Sequence, residues 1–135
     1  MDPHDLKTVP LFAALRDDEL RQVAQQAEDV DVAEGKQLIT EGRFAYEFFA
    51  IKDGTADVTI EGNVVRSLGP GDFFGELALI EDHPRTASVL AVEETECILF
   101  VAWEFTALLK EHPQMAVPIM NALIKRLHRR EHKPD

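Results

Sequence analysis

The sequence predicts a mainly β fold, a small sandwich or jelly-roll barrel, with helical segments at both ends. Three observations predict it. Turn signals recur at short intervals through the middle of the chain: Glu34-Gly35, Glu41-Gly42, Asp53-Gly54, Glu61-Gly62-Asn63 and Gly69-Pro70-Gly71. Short runs rich in Val, Ile, Phe and Thr lie between them, and helix-period patterns are confined to the two ends.

Residues 1–28 read as helical. Arg16-Asp17-Asp18-Glu19 places three acids in a first turn, where the helix dipole favours them, and Leu20, Val23, Ala24 and Ala27 share one apolar face. From about Asp29 the period shortens. Strands are expected at Gln37 to Thr40, Glu47 to Lys52, Thr55 to Ile60, Val64 to Leu68, Ala87 to Val92 and Glu96 to Val101, which reads as a meander. Asp53-Gly54 between two of these runs predicts a two-residue hairpin, and Ala56, Val58 and Ile60 alternate with Asp57 and Thr59 as in a half-buried strand. The helical pattern returns with a short helix from Trp103 to Glu111. A longer one follows, with Pro113 in its first turn and an apolar stripe of Ala116, Ile119, Met120, Leu123, Ile124 and Leu127. Pro118 lacks an N–H and predicts a kink or restart near Val117.

Composition limits the function. A chain of 135 residues with 45% apolar residues can bury about two thirds of its unfolded surface as one domain. The longest apolar run, Cys97 to Trp103, is seven residues, too short to span a bilayer, and Met1 to Lys7 resembles no signal peptide, so a cytoplasmic protein is expected. The lone Cys97 has no partner for an internal disulfide and reads as core. A net charge of −11 argues against direct DNA binding. The charge is uneven, since from Pro113 onward five Lys or Arg face two acids.

The informative stretch is Gly71 to Val89, GDFFGELALIEDHPRTASV. It has no Gly-Lys-Ser/Thr, misses G-x-G-x-x-G by one position and follows strands instead of opening a βαβ unit, which disfavours a triphosphate or dinucleotide site. A Gly-rich turn leading into a short helical piece at Glu76 still suits a small anion, because the first N–H groups of a helix have no partner within it. Catalysis has no support: Ser67 and Ser88 lack a nucleophile elbow. A metal is not expected, because His83 stands in a loop and His128 and His132 stand among basic residues at a helix end.

Phe74-Gly75-Glu76-Leu77-Ala78-Leu79 followed by Pro84-Arg85-Thr86-Ala87-Ser88-Val89 resembles the phosphate-binding cassette of the cyclic-nucleotide-binding domain family. That family includes cAMP receptor transcription factors, kinase regulatory subunits and cyclic-nucleotide-gated channels. The resemblance extends to Val9-Pro10-Leu11-Phe12, Glu41-Gly42, Asp53-Gly54 and Leu68-Gly69-Pro70-Gly71-Asp72, and so covers nearly the whole chain. It implies an eight-stranded β-roll, a double-stranded β-helix, over residues 29–102 with the cassette at 69–89. It also implies an N-terminal helix, a short cassette helix and two C-terminal helices over 103–130.

By the same resemblance Glu76 accepts from a ribose 2′-hydroxyl, and Arg85 pairs with the cyclic phosphate. Backbone N–H groups of Gly75, Leu77, Ala78, Thr86 and Ala87 line the pocket, with the Thr86 hydroxyl as a further donor. A guanidinium fork matches phosphate oxygens, and a carboxylate reading a hydroxyl discriminates against a deoxy ligand. The helix from Pro118 to Arg130 is expected to close over the base, which would meet Leu123 or Leu127 or stack under Arg126, Arg129 or Arg130; the residues do not choose among these. The expected ligand is cAMP ahead of cGMP, with no cofactor. Expected partners are an effector protein or an output domain outside this sequence, and a second copy through the C-terminal helices. Where relatives carry a polar turn, Arg43-Phe44-Ala45-Tyr46 carries two aromatics. The alternative is therefore a protein-interaction domain of the same fold that no longer depends on a ligand.

Overall fold

A computed structural model of the chain describes residues 2–75 and 84–131, with side chains up to residue 125. The N-terminal segment begins with a short helix, α1 (Pro3–Leu6), whose first turn is capped by the Asp2 carboxylate accepting from the His4 N–H at 2.9 Å. After a 3₁₀ turn at Pro10–Phe12 comes α2 (Asp17–Ala24). Its three acids sit in the first turn as expected, and Glu19 reaches back to accept from the Arg16 N–H at 2.9 Å, closing one orphan donor.

Eight antiparallel strands follow: β1 (Glu28–Val32), β2 (Gln37–Ile39), β3 (Glu47–Asp53), β4 (Ala56–Ile60), β5 (Asn63–Leu68), β6 (Phe73–Phe74), β7 (Ser88–Ala91) and β8 (Thr95–Val101). They form two four-stranded sheets, one ordered β1-β8-β3-β6 and the other β2-β7-β4-β5. Six of the strands are legible as apolar runs. The pattern misses β1, whose sequence EDVDV buries only Val32, and β6, which is two residues long.

The meander and the Asp53-Gly54 hairpin are not what forms. Between consecutive strands the chain crosses from one sheet to the other, except at β4 to β5 and only there among the described residues. Strand β3 pairs with β6 and β8, never with β4. Gly54, at φ +99°, instead turns a corner between sheets. A Cβ there would lie 2.5 Å from Thr95 Oγ1 and 2.8 Å from the Glu94 carbonyl, so the corner is packed against the start of β8. The real hairpin is Glu61-Gly62, with φ values of 52° and 82°, joining β4 to β5 in the left-handed geometry that matches strand twist.

The roll separates two cores. Strands β3 and β8 lie inside their sheet and are buried on both faces, which is why FFAI and CILF read as continuous apolar runs. Phe48, Ala50, Ile98 and Phe100 point to the helical side and join Leu6, Val9, Phe12, Leu20, Phe105, Met115 and Ile119. Phe49, Ile51 and Cys97 point into the roll and join Ile39, Val58, Leu68, Phe74 and Val89. Phe48 stacks on Phe100 with ring centroids 4.7 Å apart and Phe12 tilts on the same ring at 5.4 Å. Each such buried aromatic is worth about 1.5–3 kcal/mol of transfer free energy. Lys52, at the end of β3, reaches Asp5 and Asp29 at 3.3 Å each, tying α1 to the sheet.

The chain leaves β8 directly into α3 (Ala102–Glu111), passes a 3₁₀ turn at Pro113–Met115 and enters α4 (Ala116–Glu131). The expected restart is therefore at Ala116, and Pro118 falls in the first turn of α4, where its missing N–H has no helical partner to lose. The expected stripe is corrected in part. Met115, Ile119, Ala122 and Leu123 face the helical core, whereas Met120 and Ile124 are half exposed, because they lie about 100° further round the helix. Among the described residues no helix is long and apolar enough to cross a membrane.

Candidate functional site

Gly75 follows β6 at φ +82°, a conformation open to glycine. A Cβ on it would lie 3.0 Å from the Glu47 carbonyl oxygen and 3.2 Å from both Ile39 Cδ1 and Phe48 Cα, so the turn runs tight against the start of β3. Glu76, Leu77 and Ala78, the remaining members of the first half of the expected site, lie outside the described residues, as does His83.

Arg85 comes back to the same place from the other side. Its guanidinium donates through Nη1 to the Gly75 carbonyl at 3.1 Å and through Nη2 to the Glu47 carbonyl. Its backbone is held as well: the Arg85 N–H donates to the Arg43 carbonyl and the Gly42 N–H donates to the Arg85 carbonyl, both at 2.9 Å. Backbone and side chain together fix the plane of the fork, so two of the expected site residues, Gly75 and Arg85, are joined by a hydrogen bond although ten positions separate them. A guanidinium oriented by carbonyls beside a glycine turn is a geometry suited to a small oxyanion.

Thr86 is exposed, and Ala87 is half buried against the core inside the roll. Ser88 begins β7 and is buried, its hydroxyl bonded to Glu41 and Gln37. Leu123, one of the expected base-capping residues, packs against the helical core, on the other side of the β3–β8 sheet from the core that Ala87 joins. Arg126, Leu127 and Arg130 lie on α4 where only the backbone is described. Thr86 and Ala87 thus lie next to Arg85, and Leu123 packs in the other core, apart from Ala87.

The groups that sequence reading missed are main-chain ones. Gly42, Arg43 and Glu47 hold Arg85 through N–H and C=O groups, which every residue carries and no side-chain pattern announces. The Glu41-Gly42 turn signal marked their neighbourhood without marking their role.

The other chemistry-bearing groups have structural surroundings. Burial pushes the Cys97 thiol up to about 11, so it is neutral at ordinary pH. No group of three or more His, Cys, Asp or Glu side chains stands together as a metal site among the described residues. Phe44 and Tyr46 are exposed at the surface, with Tyr46 against Trp103.

Comparison with known proteins places the chain in a family. The model of the family described as the cyclic nucleotide-binding domain matches residues 29–112. The chain is 37% identical over 93 residues to the cAMP-dependent protein kinase regulatory subunit of Emericella nidulans, a match covering 67% of this chain and 23% of that one. It is 36% identical over 93 residues to the cGMP-dependent protein kinase of Plasmodium berghei, covering 68% of this chain and 11% of the kinase. The chain therefore spans less than a quarter of the length of either relative. Among solved structures, cAMP-bound PfPKA-R superposes with a TM-score of 0.80 at 26% identity, over 93% of this chain and 42% of that one. The matched span runs from the second residue of β1 to the end of α3 and takes in Gly75 and Arg85: the chain belongs to the cyclic nucleotide-binding domain family.

Proposed function

We propose that this domain binds a 3′,5′-cyclic nucleotide, cAMP ahead of cGMP, and acts as a regulatory sensor and not as an enzyme. The observation that carries the reading is Arg85, its guanidinium oriented by the Gly75 and Glu47 carbonyls at the mouth of the glycine turn. In a chain of net charge −11, a phosphate must be met by a local cation, and a fixed fork supplies one. Glu76 takes the ribose hydroxyl, and the N–H groups of Gly75, Leu77, Ala78, Thr86 and Ala87 take the phosphate oxygens.

The output is closure of α4 over the base. Leu123 now packs on the helical core, so a capping role for it requires the distal part of α4 to leave that contact when ligand binds. The partners of such a sensor are an effector protein, an output domain of a longer chain, or a second copy meeting through the C-terminal helices.

Titration calorimetry with cAMP and with cGMP tests the reading. Heat with cAMP is expected, and Arg85→Ala should weaken binding by about ten- to a hundredfold, the value of a charge-assisted hydrogen bond. No heat with either nucleotide, or unchanged affinity in a folded Arg85→Ala protein, overturns it.

The exposed Phe44, Tyr46 and Trp103 favour a second reading, a protein-interaction domain of the same fold that needs no ligand. A thermal shift separates the two. Ligand at a hundred times its Kd should stabilise a sensor by about 2.7 kcal/mol and leave a pure interaction domain unmoved.

A further inference from the structure

The segment Arg85 to Ser88 is fastened at both ends to one short stretch, Glu41 to Arg43. At the first end the contacts are backbone to backbone, between Arg85 and both Gly42 and Arg43, each at 2.9 Å. At the last end they run through a side chain. The Ser88 hydroxyl donates to Glu41 Oε1 at 3.0 Å and accepts from the Glu41 N–H at 3.0 Å and from Gln37 Nε2 at 3.3 Å. A hydroxyl has one proton and two lone pairs, so this buried serine, 8% exposed, is fully satisfied. The other oxygen of the same carboxylate, Glu41 Oε2, accepts from the Glu61 N–H at 3.1 Å. Glu61 is the one non-glycine residue at positive φ among the described residues, and it makes the β4–β5 hairpin turn.

Glu41 therefore reaches two other elements, the start of β7 through its N–H and Oε1 and the β4–β5 turn through Oε2. Glu41 holds the Ser88 end of the segment and its neighbours Gly42 and Arg43 hold the Arg85 end; the residues between, Thr86 and Ala87, are those whose N–H groups the proposed function assigns to phosphate. A carboxylate close to an anion site opposes binding by its charge alone. Its geometry here favours binding, because it fixes the segment that carries the donors.

We propose that Glu41, acting through Ser88, is a positioning residue of the cyclic-phosphate site, aligning the Arg85 guanidinium with the Thr86 and Ala87 N–H groups. This rests on the site reading given above. The two effects of Glu41 have opposite signs, which makes the proposal testable.

The experiment is calorimetry with cAMP on the wild-type chain, Arg85→Ala, Glu41→Ala, Glu41→Gln, Ser88→Ala and Ser88→Thr, each checked for fold by circular dichroism. Glu41→Ala and Ser88→Ala should each weaken cAMP binding about tenfold, the value of a lost buried hydrogen bond to a charged group, and the double variant should lose little more than either. Glu41→Gln keeps an acceptor for Ser88, and Ser88→Thr keeps the hydroxyl; both should bind within about threefold of wild type. Affinity unchanged or raised in Glu41→Ala and Ser88→Ala, with wild-type binding intact and lost in Arg85→Ala, overturns the positioning role and leaves the site standing. Equal loss in the alanine and the conservative variants overturns it too, since that marks general destabilisation. No heat with wild type overturns the site, and the positioning role with it.

Discussion

Tyr46 and Trp103 meet edge to face, with ring centroids 5.6 Å apart and planes at 61°, and each is the only residue of its kind in the chain. The backbone joins the same two elements, since the Ala102 N–H donates to the Tyr46 carbonyl at 2.5 Å. The loop before β3 is thereby fixed to the first turn of α3. Trp103 is 62% exposed, so its emission should be accessible to acrylamide in the native state. Energy transfer across this contact should suppress tyrosine emission until the chain unfolds. Tyr46→Leu should cost about 0.5–1 kcal/mol in urea denaturation and shift the tryptophan emission to the red. A tyrosine shoulder already present in the native spectrum would contradict the contact.

Gly54 and Gly35 both have positive φ but differ in what surrounds them. A Cβ at Gly54 would meet Thr95 and Glu94 within 2.8 Å, whereas nothing lies within 4 Å of one at Gly35. Gly54→Ala should cost about 3 kcal/mol or more, from backbone strain plus displacement of the β8 start. Gly35→Ala should cost only about 1–2 kcal/mol of backbone strain. Equal denaturation midpoints for the two variants would refute the packed corner.

Gly75→Ala should act on ligand more than on stability. The added methyl would press on the Glu47 carbonyl, which also accepts from Arg85, and so displace the guanidinium. A loss of cAMP affinity of about tenfold or more is expected, since small misplacements at a binding centre are costly. Calorimetry beside thermal melts makes the comparison.

Lys52 should give a modest, salt-sensitive effect. Burial alone would lower its pKa, but the hydrogen bonds to Asp29 and Asp5 outweigh burial and raise it. The group's contribution is therefore present below the lysine's ordinary 10.5 and lost as pH rises beyond it. Because the partners are half exposed, Lys52→Met should cost about 0.5–1 kcal/mol, less at high salt. A larger loss that ignores salt would point to packing of the aliphatic stem instead.

Cys97 should resist thiol reagents. Its thiol is pushed from 9.0 to about 11 by burial, so the folded protein keeps a proton that the unfolded chain gives up. Stability should thus be unaffected by this group below about pH 9 and fall between about pH 9 and 11. Labelling at pH 8 with iodoacetamide should follow global unfolding, and rapid labelling of the native protein would contradict its position in the roll.

Much of the molecule was legible because its signals are local. Turn residues, the both-faces-apolar runs of β3 and β8, the acidic first turn of α2 and the helical ends all read directly from residue types and spacing. The failures share one cause: they depend on which element lies beside which. Asp53-Gly54 has the composition of a hairpin but turns a corner, because β3 finds β8 and β6 as neighbours instead of β4. The α4 stripe loses Met120 and Ile124 to solvent because the helical core is narrower than the apolar face offered to it.

The rhythm of strands and turns, the helical ends, and the Gly-Glu and Pro-Arg-Thr motifs that resemble a phosphate-binding cassette are all written in the order of residues. The aim of Arg85, by contrast, is set by the folded chain. Its guanidinium is held by the carbonyls of Gly75 and Glu47, its main chain by Gly42 and Arg43, and the end of its segment by Glu41 through Ser88. The physical reason is that backbone donors and acceptors are the same in every residue, so their meeting is set by the path of the folded chain and leaves no mark in the order of side chains.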